Sequence, residues 1–298
     1  MSRGGIDIQD PLVEDHLDDH ATAPDRPAAG QTSTVTPDRP AVRSGRRVRV
    51  PGLRLVGWVV VPLALLGLWQ AVTAAQVFSP VALPAPGAVW SAGVNLAERG
   101  ELTGHIAIST QRVLLGFGIG AVLGLVAGAA IGLSRLADTL FAPSIGAFRA
   151  VPSLAWVPLL LLWLGIAETS KVTLIAIGAF FPVYTTVAAA FRHVDRDLVE
   201  VGRAYGLHGH RLLGRIMMPA TMPSIVAGLR LALAQAWLFL VAAELIASSQ
   251  GLGFLLIDSQ NNGRTDRLLL AIVLLAVLGK LTDTVIGLVE RRLLRKWG

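Results

Sequence analysis

Apart from Lys171, which is assigned to an outer loop, six charged residues lie inside long apolar runs of the sequence, where an ionised side chain is costly to place. They are Arg112, Arg149, Arg230, Glu244, Lys280 and Asp283. Because hydrocarbon does not solvate a charge, such a residue either pairs with another polar group or marks a functional pathway. Arg112 and Arg230 lie near the ends of their runs, from which a long side chain can extend to the membrane surface. The other four lie deeper and are the first candidates for a site.

Arg149 lies just before a break in its apolar run at Pro152. Proline removes a helical hydrogen bond and collides with the preceding turn, so it loosens the backbone. At membrane depth, loosened backbone is tolerated only where protein or water covers it. Two interpretations stay open: Arg149 lines a cavity beside the break, or it extends to the cytoplasmic surface and the span begins near Pro152. We take both residues as pathway candidates.

The other deep charges lie in the last two apolar runs. Glu244 precedes Gly251 and Gly253 at the end of the fifth run. It is either an interfacial carboxylate or a carboxylate that pairs with an arginine and shapes an outer gate. Gly251 and Gly253 are further candidates for this gate. It is not expected to hold an anion directly, because like charges repel. Lys280 and Asp283 are three residues apart on one helix face, which predicts a structural ion pair.

No catalytic, metal or cofactor site is predicted. Gly279-Lys280 resembles the end of a phosphate-binding loop, but Leu274 replaces the required glycine and Leu281 replaces the Ser or Thr. His16 and His20 are four residues apart in a segment without helical support, so the spacing alone does not predict a metal site. We therefore expect a protein that is not itself an enzyme and that carries no cofactor.

The composition of the chain indicates that apolar helices position these residues. The chain has 298 residues, of which 53% are hydrophobic and 15% are charged, and it contains no cysteine. These values exclude a soluble globular protein and a disulfide scaffold as main interpretations. Six runs exceed the roughly 20 residues that cross a bilayer: 55–75, 110–133, 140–165, 170–191, 222–248 and 268–289. We predict an all-α polytopic membrane protein, with a disordered cytoplasmic tail at 1–50 and a transmembrane domain at 51–298.

Basic residues predict the orientation of these spans. With the N-terminus inside, the cytoplasmic segments hold 19 Lys and Arg residues and the outer loops hold four. This bias predicts that both termini are cytoplasmic. Because the basic residues flank apolar runs and form no single patch, the net charge of +6 indicates contact with a membrane surface and no nucleic-acid partner.

A glycine stripe runs along the second span. Its members recur every four residues and so share one helix face: Gly116, Gly120, Gly124, Gly128 and Gly132. Small residues let two membrane helices approach closely. We expect this stripe to pack against another helix of the same chain, with a place in the pore as the alternative.

The cytoplasmic loop at 192–221 predicts two short helices at an angle. Asp197 and Glu200 have the spacing of a capping box, which begins a helix, and Gly206 is placed to end it. In the second helix, Leu213, Ile216 and Met217 share an apolar face. We expect Pro219 to close this helix and Pro223 to open the next span. An amphipathic helix outside the membrane must cover its apolar face with lipid or with a partner groove.

This loop resembles the ATPase-docking loop of importer permeases of ATP-binding-cassette transporters. That loop has the form Glu-Ala-Ala, three residues, Gly, nine residues, Ile, one residue, Leu-Pro. The matching positions are Glu200, Val201, Gly202, Gly206, Ile216, Met218 and Pro219. The spacing agrees throughout, and the departures are Val and Gly for the two alanines and Met for Leu. The resemblance implies that the loop docks into a groove on an ATPase subunit, a role compatible with Glu200 also capping its helix.

Further segments are similar to one branch of this family, the permeases for aliphatic sulfonates, taurine, nitrate and related small anions. These segments are 83–86, 100–102, 109–116, 132–135, 151–152, 163–165, 243–244 and 251–253. The similarity covers about residues 55–296, with the sulfonate permeases as the best match.

The resemblance implies a plasma- or inner-membrane homodimer with two ATPase subunits and an extracytoplasmic substrate-binding protein. ATP would be hydrolysed by the partner ATPase. Two other classes stay open, an ion-gradient-driven secondary transporter and a membrane scaffold without transport.

Overall fold

The computed structural model describes residues 51–297, with the side chains of residues 60–293 and of residue 295. The tail predicted to be disordered, 1–50, lies outside the described residues. Across 51–297 the chain forms eleven α-helices and no strand: α1 (Pro51–Ala74), α2 (Pro86–Glu98), α3 (Glu101–Leu133), α4 (Arg135–Ala150), α5 (Val157–Leu164), α6 (Glu168–Arg192), α7 (Arg196–Ala204), α8 (Gly209–Leu212), α9 (Met218–Ala247), α10 (Leu252–Asn261) and α11 (Thr265–Trp297). The predicted all-α class is confirmed.

Several described helices can cross a bilayer. Four are long and apolar enough: α3, α6, α11 as far as Leu293, and the continuous helix from Gly209 to Ala247. The polytopic character is therefore confirmed. Helix α4 and the segment Ser153–Leu164 form a further candidate that bends by 86°. Six spans would require α1 as the sixth, and that count stays a prediction.

Three helices, α3, α6 and α9, form the core. Buried apolar side chains from all three meet there, among them Val113, Ile175 and Leu240, each with no exposed surface. Helix α3 lies close against α6 because its contact face is the glycine stripe. A methyl group at Gly124 would lie 2.8 Å from Cβ of Val183 and 2.9 Å from the carbonyl oxygen of Phe180. Such distances leave room for hydrogen only, so glycine sets the separation of these helices.

The register of these contacts gives the helix directions. Along α3, Gly116 faces Ile175 and Gly132 faces Phe191, so residue numbers rise together and α3 runs parallel to α6. Along α9, Gly228 faces Thr186, while Phe239 faces Gly178, so α9 runs antiparallel to α6. Two consecutive parallel membrane helices require one crossing between them. If α3 and α6 both cross the bilayer, as their length and apolar composition allow, the bent α4–α5 segment is the part of the chain between them that can supply this crossing.

The bend departs from a single straight span over 140–165. Helix α4 begins earlier, at Arg135, and ends at Ala150. Pro152 then precedes a single 3-10 turn, Ser153–Trp156, that leads into α5. The break lies where Pro152 was expected to loosen the backbone, because proline disfavours helical geometry in the residue before it.

Candidate functional site

Helix α7 is the first helix of the loop at 192–221 that resembles the ATPase-docking loop. Asp195 caps its start by accepting a hydrogen bond from the backbone nitrogen of Asp197 at 2.9 Å. The prediction that Asp197 and Glu200 form the capping box is therefore wrong, because α7 begins at Arg196 and Asp197 lies inside its first turn. At the other end Gly206 has φ of +76°. Its nitrogen bonds to the oxygen of Arg203, and the nitrogen of Leu207 bonds to the oxygen of Gly202. This is the Schellman geometry, which favours glycine.

The outer side of α7 carries an exposed apolar stripe. Leu198, Val201 and Tyr205 recur at intervals of three and four residues, and Tyr205 is 83% exposed. Glu200 is also exposed and borders a cleft of about 310 Å³ with Arg135, Arg196, Val199 and Arg203. A short helix with an apolar stripe beside charged groups has the composition of a docking surface.

The inner side of α7 packs on the helix that follows. A methyl group at Gly202 would lie 2.7 Å from Leu212 and 3.2 Å from Ile216. Gly202 therefore allows the two helices to touch, with Ile216 half-buried at the contact. Met218 is exposed and Pro219 is half-buried.

Pro219 does not close the second helix of the loop. The chain stays helical from Gly209 to Ala247. A π-helical turn, Leu213–Met217, precedes α9, in which Pro219 occupies the first turn and Pro223 lies inside the helix. A wider turn relieves the hydrogen bonds that proline would break, so the predicted boundary is wrong.

A buried polar cluster joins α3, α6, α9 and the start of α10. Arg112 is 3% exposed and donates from Nε and Nη2 to the two carboxylate oxygens of Glu168, both at 2.6 Å. Its Nη1 donates to Glu244 at 2.8 Å, to Ser248 Oγ at 3.1 Å and to the carbonyl oxygen of Gln250 at 2.7 Å. The prediction that Arg112 extends to the membrane surface is wrong, because acceptors within the fold surround its guanidinium.

Glu244 is fully buried at the centre of this cluster. Besides Arg112, its carboxylate accepts hydrogen bonds from Ser109 Oγ at 2.8 and 2.9 Å and from the backbone nitrogen of Gly253 at 2.8 Å. A side chain at Gly251 or Gly253 would collide with this carboxylate. The structure thus brings Glu244, Gly251 and Gly253 together and pairs Glu244 with an arginine.

Sequence reasoning missed two members of the cluster, Glu168 and Lys171. Lys171 is 6% exposed and donates to Glu168 Oε1 at 2.8 Å. On sequence alone it is one of the four basic residues assigned to the outer loops. The available signal was its spacing of three from Glu168, which places both on one face of a helix start.

Arg149 and Pro152 lie apart from this cluster, at the bend. Arg149 is exposed in the last turn of α4. The neighbouring Phe148 stacks on Trp156 across the bend, with ring centroids 5.8 Å apart. Both aromatic rings line an apolar cavity of about 470 Å³ between the bent segment, α3 and α6. Arg149 does not line this cavity.

Asp283 has a different principal partner from the one predicted. Arg230 donates to its two carboxylate oxygens at 2.9 and 3.0 Å, and also to Glu290 at 3.1 Å. Lys280 lies 3.6 Å from Asp283 and is 66% exposed. The planar guanidinium matches a carboxylate better than an ammonium does, so Arg230 connects α9 to α11. Lys280 contributes a weak second contact. Arg230 remains 40% exposed, so its extension to the membrane surface stays a prediction.

Comparison with known proteins identifies a family and relatives for this chain. Residues 120–295 match the family described as binding-protein-dependent transport system inner membrane component. Protein SsuC of Bacillus subtilis (strain 168), named as an aliphatic sulfonates transport permease, is 41% identical over 250 residues, which are 83% of this chain and 90% of that protein. The SsuC protein of Escherichia coli (strain K12), named likewise, is 42% identical over 243 residues, which are 82% of this chain and 92% of that protein.

A solved structure shares the fold. The inward-facing MetNI methionine ABC transporter aligns with a TM-score of 0.55 and 19% identity, over 66% of this chain and 96% of that one. An identity this low supports the fold alone. The family match and the two relatives carry the assignment further: the chain belongs to the binding-protein-dependent transport system inner membrane components, the permease subunits of ATP-binding-cassette importers.

Proposed function

We propose that this permease forms the membrane pathway of an ATP-driven importer for a small anion, most favourably an aliphatic sulfonate. The observation that carries the proposal is the exposed stripe of Leu198, Val201 and Tyr205 on α7. An ATPase groove would cover this stripe, and the Schellman turn at Gly206 would hold α7 at a fixed angle. The loop residues Glu200, Gly202, Gly206, Ile216, Met218 and Pro219 then transmit motion from the ATPase to α9, into which the loop continues without a break.

The assembly we propose contains two copies of this chain, two ATPase subunits and one extracytoplasmic binding protein, in the plasma or inner membrane. The six predicted spans are few for a gated pathway, and no internal repeat in the sequence suggests a fused second copy. We assign ATP hydrolysis to the partner, because Gly279-Lys280 lacks the remainder of a phosphate-binding motif. Glu244, Gly251 and Gly253 would shape the outer gate, while Arg149 and Pro152 would border the pathway at the bend.

The substrate assignment is supported by two relatives above 40% identity that are named as aliphatic sulfonates transport permeases. Taurine, nitrate or another small organic anion is the alternative within the same importer class. These anions share a compact oxygen-bearing charge, which arginine and lysine side chains can pair with.

Uptake in proteoliposomes tests the proposal. The permease would be reconstituted with its ATPase and binding protein, and uptake of radiolabelled ethanesulfonate, taurine and nitrate would be compared. We expect ethanesulfonate uptake that requires ATP and persists when an ionophore collapses ion gradients. Uptake driven by an ion gradient without ATP would instead establish a secondary transporter, and uptake of taurine or nitrate alone would replace the substrate.

A further inference from the structure

Two buried cationic side chains converge on one exposed carboxylate. Arg112 and Lys171 are 3% and 6% exposed, whereas Glu168, to which both donate, is 57% exposed. Glu168 is the first residue of α6, so its carboxylate covers the two cations on the exposed surface at the start of that helix. The two cations thus form a site of the kind that binds an anion, and the carboxylate of Glu168 fills it.

Arg112 would keep its position if Glu168 moved away. Its Nη1 stays bound to Glu244, Ser248 and the carbonyl oxygen of Gln250. Only Nε and Nη2, the edge that now holds Glu168, would lose their acceptors. The guanidinium is therefore preorganised, and the exposed carboxylate can rotate into water and recover its hydration.

The vacated positions would match a sulfonate. Two of its oxygens fit the Nε and Nη2 edge of Arg112 side by side, as the carboxylate oxygens of Glu168 do, and a third oxygen can accept from Lys171 Nζ. With Glu168 displaced, Arg112, Lys171 and Glu244 sum to one positive charge, which one monovalent anion neutralises. We propose that Arg112 and Lys171 form an oxyanion subsite that Glu168 occupies in the resting permease, and from which an incoming sulfonate displaces it.

This inference rests on the proposed function for its substrate class. It also agrees with the proposed orientation, in which the start of α6 and the end of α9 face the side where a binding protein would release its cargo. Displacement explains how a buried cation pair avoids trapping the anion. Because Glu168 remains tethered beside the subsite, it competes for the cations and promotes release.

Direct binding of methanesulfonate tests the subsite. The purified permease–ATPase complex in nanodiscs, without binding protein, would be titrated by isothermal calorimetry. Glu168→Gln removes the competing charge and keeps the side-chain size, so we expect the Kd to fall about ten-fold to a hundred-fold relative to the wild type, the scale of one charge-assisted contact. Glu168→Asp shortens the tether and should lower the Kd less. Adding Lys171→Gln to Glu168→Gln should reverse the gain.

Glu101→Gln is the matched control, since it removes an exposed carboxylate from the start of α3 without touching Arg112. An equal gain in this control would overturn the subsite, because it would reflect the general field of the outer surface. Unchanged affinity in both Glu168 variants would overturn it as well, and Glu168→Asp decides the matter if Glu168→Gln does not fold.

Failure of the proposed function gives a different pattern. Nitrate and taurine would be titrated in parallel with methanesulfonate. If Glu168→Gln tightens binding of one of these while the wild-type importer takes up no sulfonate, the subsite stands and the substrate changes. If sulfonate is imported but no Glu168 variant binds any of the three anions more tightly, the function stands and the subsite is wrong.

Discussion

Glu244 shows how one side chain joins distant parts of the fold. Its carboxylate accepts hydrogen bonds from Ser109 and Arg112 on α3 and from the backbone at Gly253. These partners lie 135, 132 and 9 residues away in sequence. Local patterns mark Glu244 as a costly charge in an apolar run, but they do not identify partners so far along the chain. The sequence could therefore predict that the partner is an arginine, but not that it is Arg112.

Glu244→Gln tests the importance of this charge. The amide nitrogen of glutamine is a donor, so it faces either the Gly253 backbone donor or the Arg112 guanidinium without forming a bond. We expect a loss of about 1–3 kcal/mol in stability, the cost of one buried group left unsatisfied. The thermal midpoint of the purified permease in detergent would measure it, with Glu101→Gln as a surface control. An unchanged midpoint would show that the cluster does not stabilise the fold.

Arg149 is the residue whose role the sequence left most open, and the structure places it, exposed, beside the bend. If it attracts the anion on its way through the membrane, Arg149→Lys keeps the charge and should keep partial transport. Arg149→Gln should reduce uptake about ten-fold to a hundred-fold, the scale of one charge-assisted contact, while basal ATPase activity persists. The measurement is ethanesulfonate uptake by the reconstituted importer.

Arg99→Gln is the control for Arg149, because Arg99 is exposed in the turn between α2 and α3. Normal uptake by Arg149→Gln would make Arg149 a topology anchor. Failure of that variant to assemble would make it structural.

At the scale of the helix, the close contact between α3 and α6 depends on glycines, which have no side chain to separate the two backbones. The glycine period of four predicted a contact face on α3, and that inference needed only helix geometry. The partner helix and the parallel direction could not be predicted, because α6 carries no matching glycine pattern. Its contact residues are ordinary core side chains such as Val183 and Val187.

Gly124→Ala tests this contact, with Gly118→Ala as the matched control on the same helix. A methyl group at Gly124 would enter α6, whereas nothing lies within 4 Å of one at Gly118. We expect Gly124→Ala to cost about 1–3 kcal/mol through overpacking and Gly118→Ala to be neutral or slightly stabilising. Thermal midpoints in detergent compare the two. Equal midpoints would mean that α6 yields to the added methyl without strain.

Helix α7 illustrates which boundaries local sequence can predict. Its end at Gly206 could be predicted because a positive φ strongly favours glycine. Its start could not, since Asp195 and Asp197 are both competent caps. The continuous helix through Pro219 depends on a π turn, and no single residue type predicts one.

Gly206→Val tests whether this turn couples the permease to its ATPase. A left-handed backbone costs a residue with a Cβ about 1–2 kcal/mol, and nothing lies within 4 Å of the added atom, so the effect should stay local to α7. We expect the ATPase to lose its coupling to ethanesulfonate uptake while the permease still folds. Gly206→Asn, which tolerates this conformation, should retain coupling. Wild-type coupling in Gly206→Val would show that the turn plays no part in docking.

Across the whole molecule, composition predicts an all-helical membrane protein, and contact register gives the helix directions. Apolar runs marked the regions where the long membrane helices lie, because a helix that crosses the hydrocarbon core needs about 20 apolar residues. The run at 140–165 was harder to interpret, since a bent crossing and a re-entrant loop have the same composition. The parallel α3–α6 contact separates these two cases.

Reporter fusions test the orientation of the whole molecule in the membrane. The 19-to-4 distribution of basic residues predicts that both termini are cytoplasmic. A reporter active only outside the cytoplasm should be silent after Gly298 and active after Asn262. Fused after Ile166, between α5 and α6, it should also be active, because the bent segment crosses the membrane once. Fused after Val194 it should be silent. Silence after Ile166 and Asn262 together with activity after Val194 and Gly298 would contradict the predicted orientation.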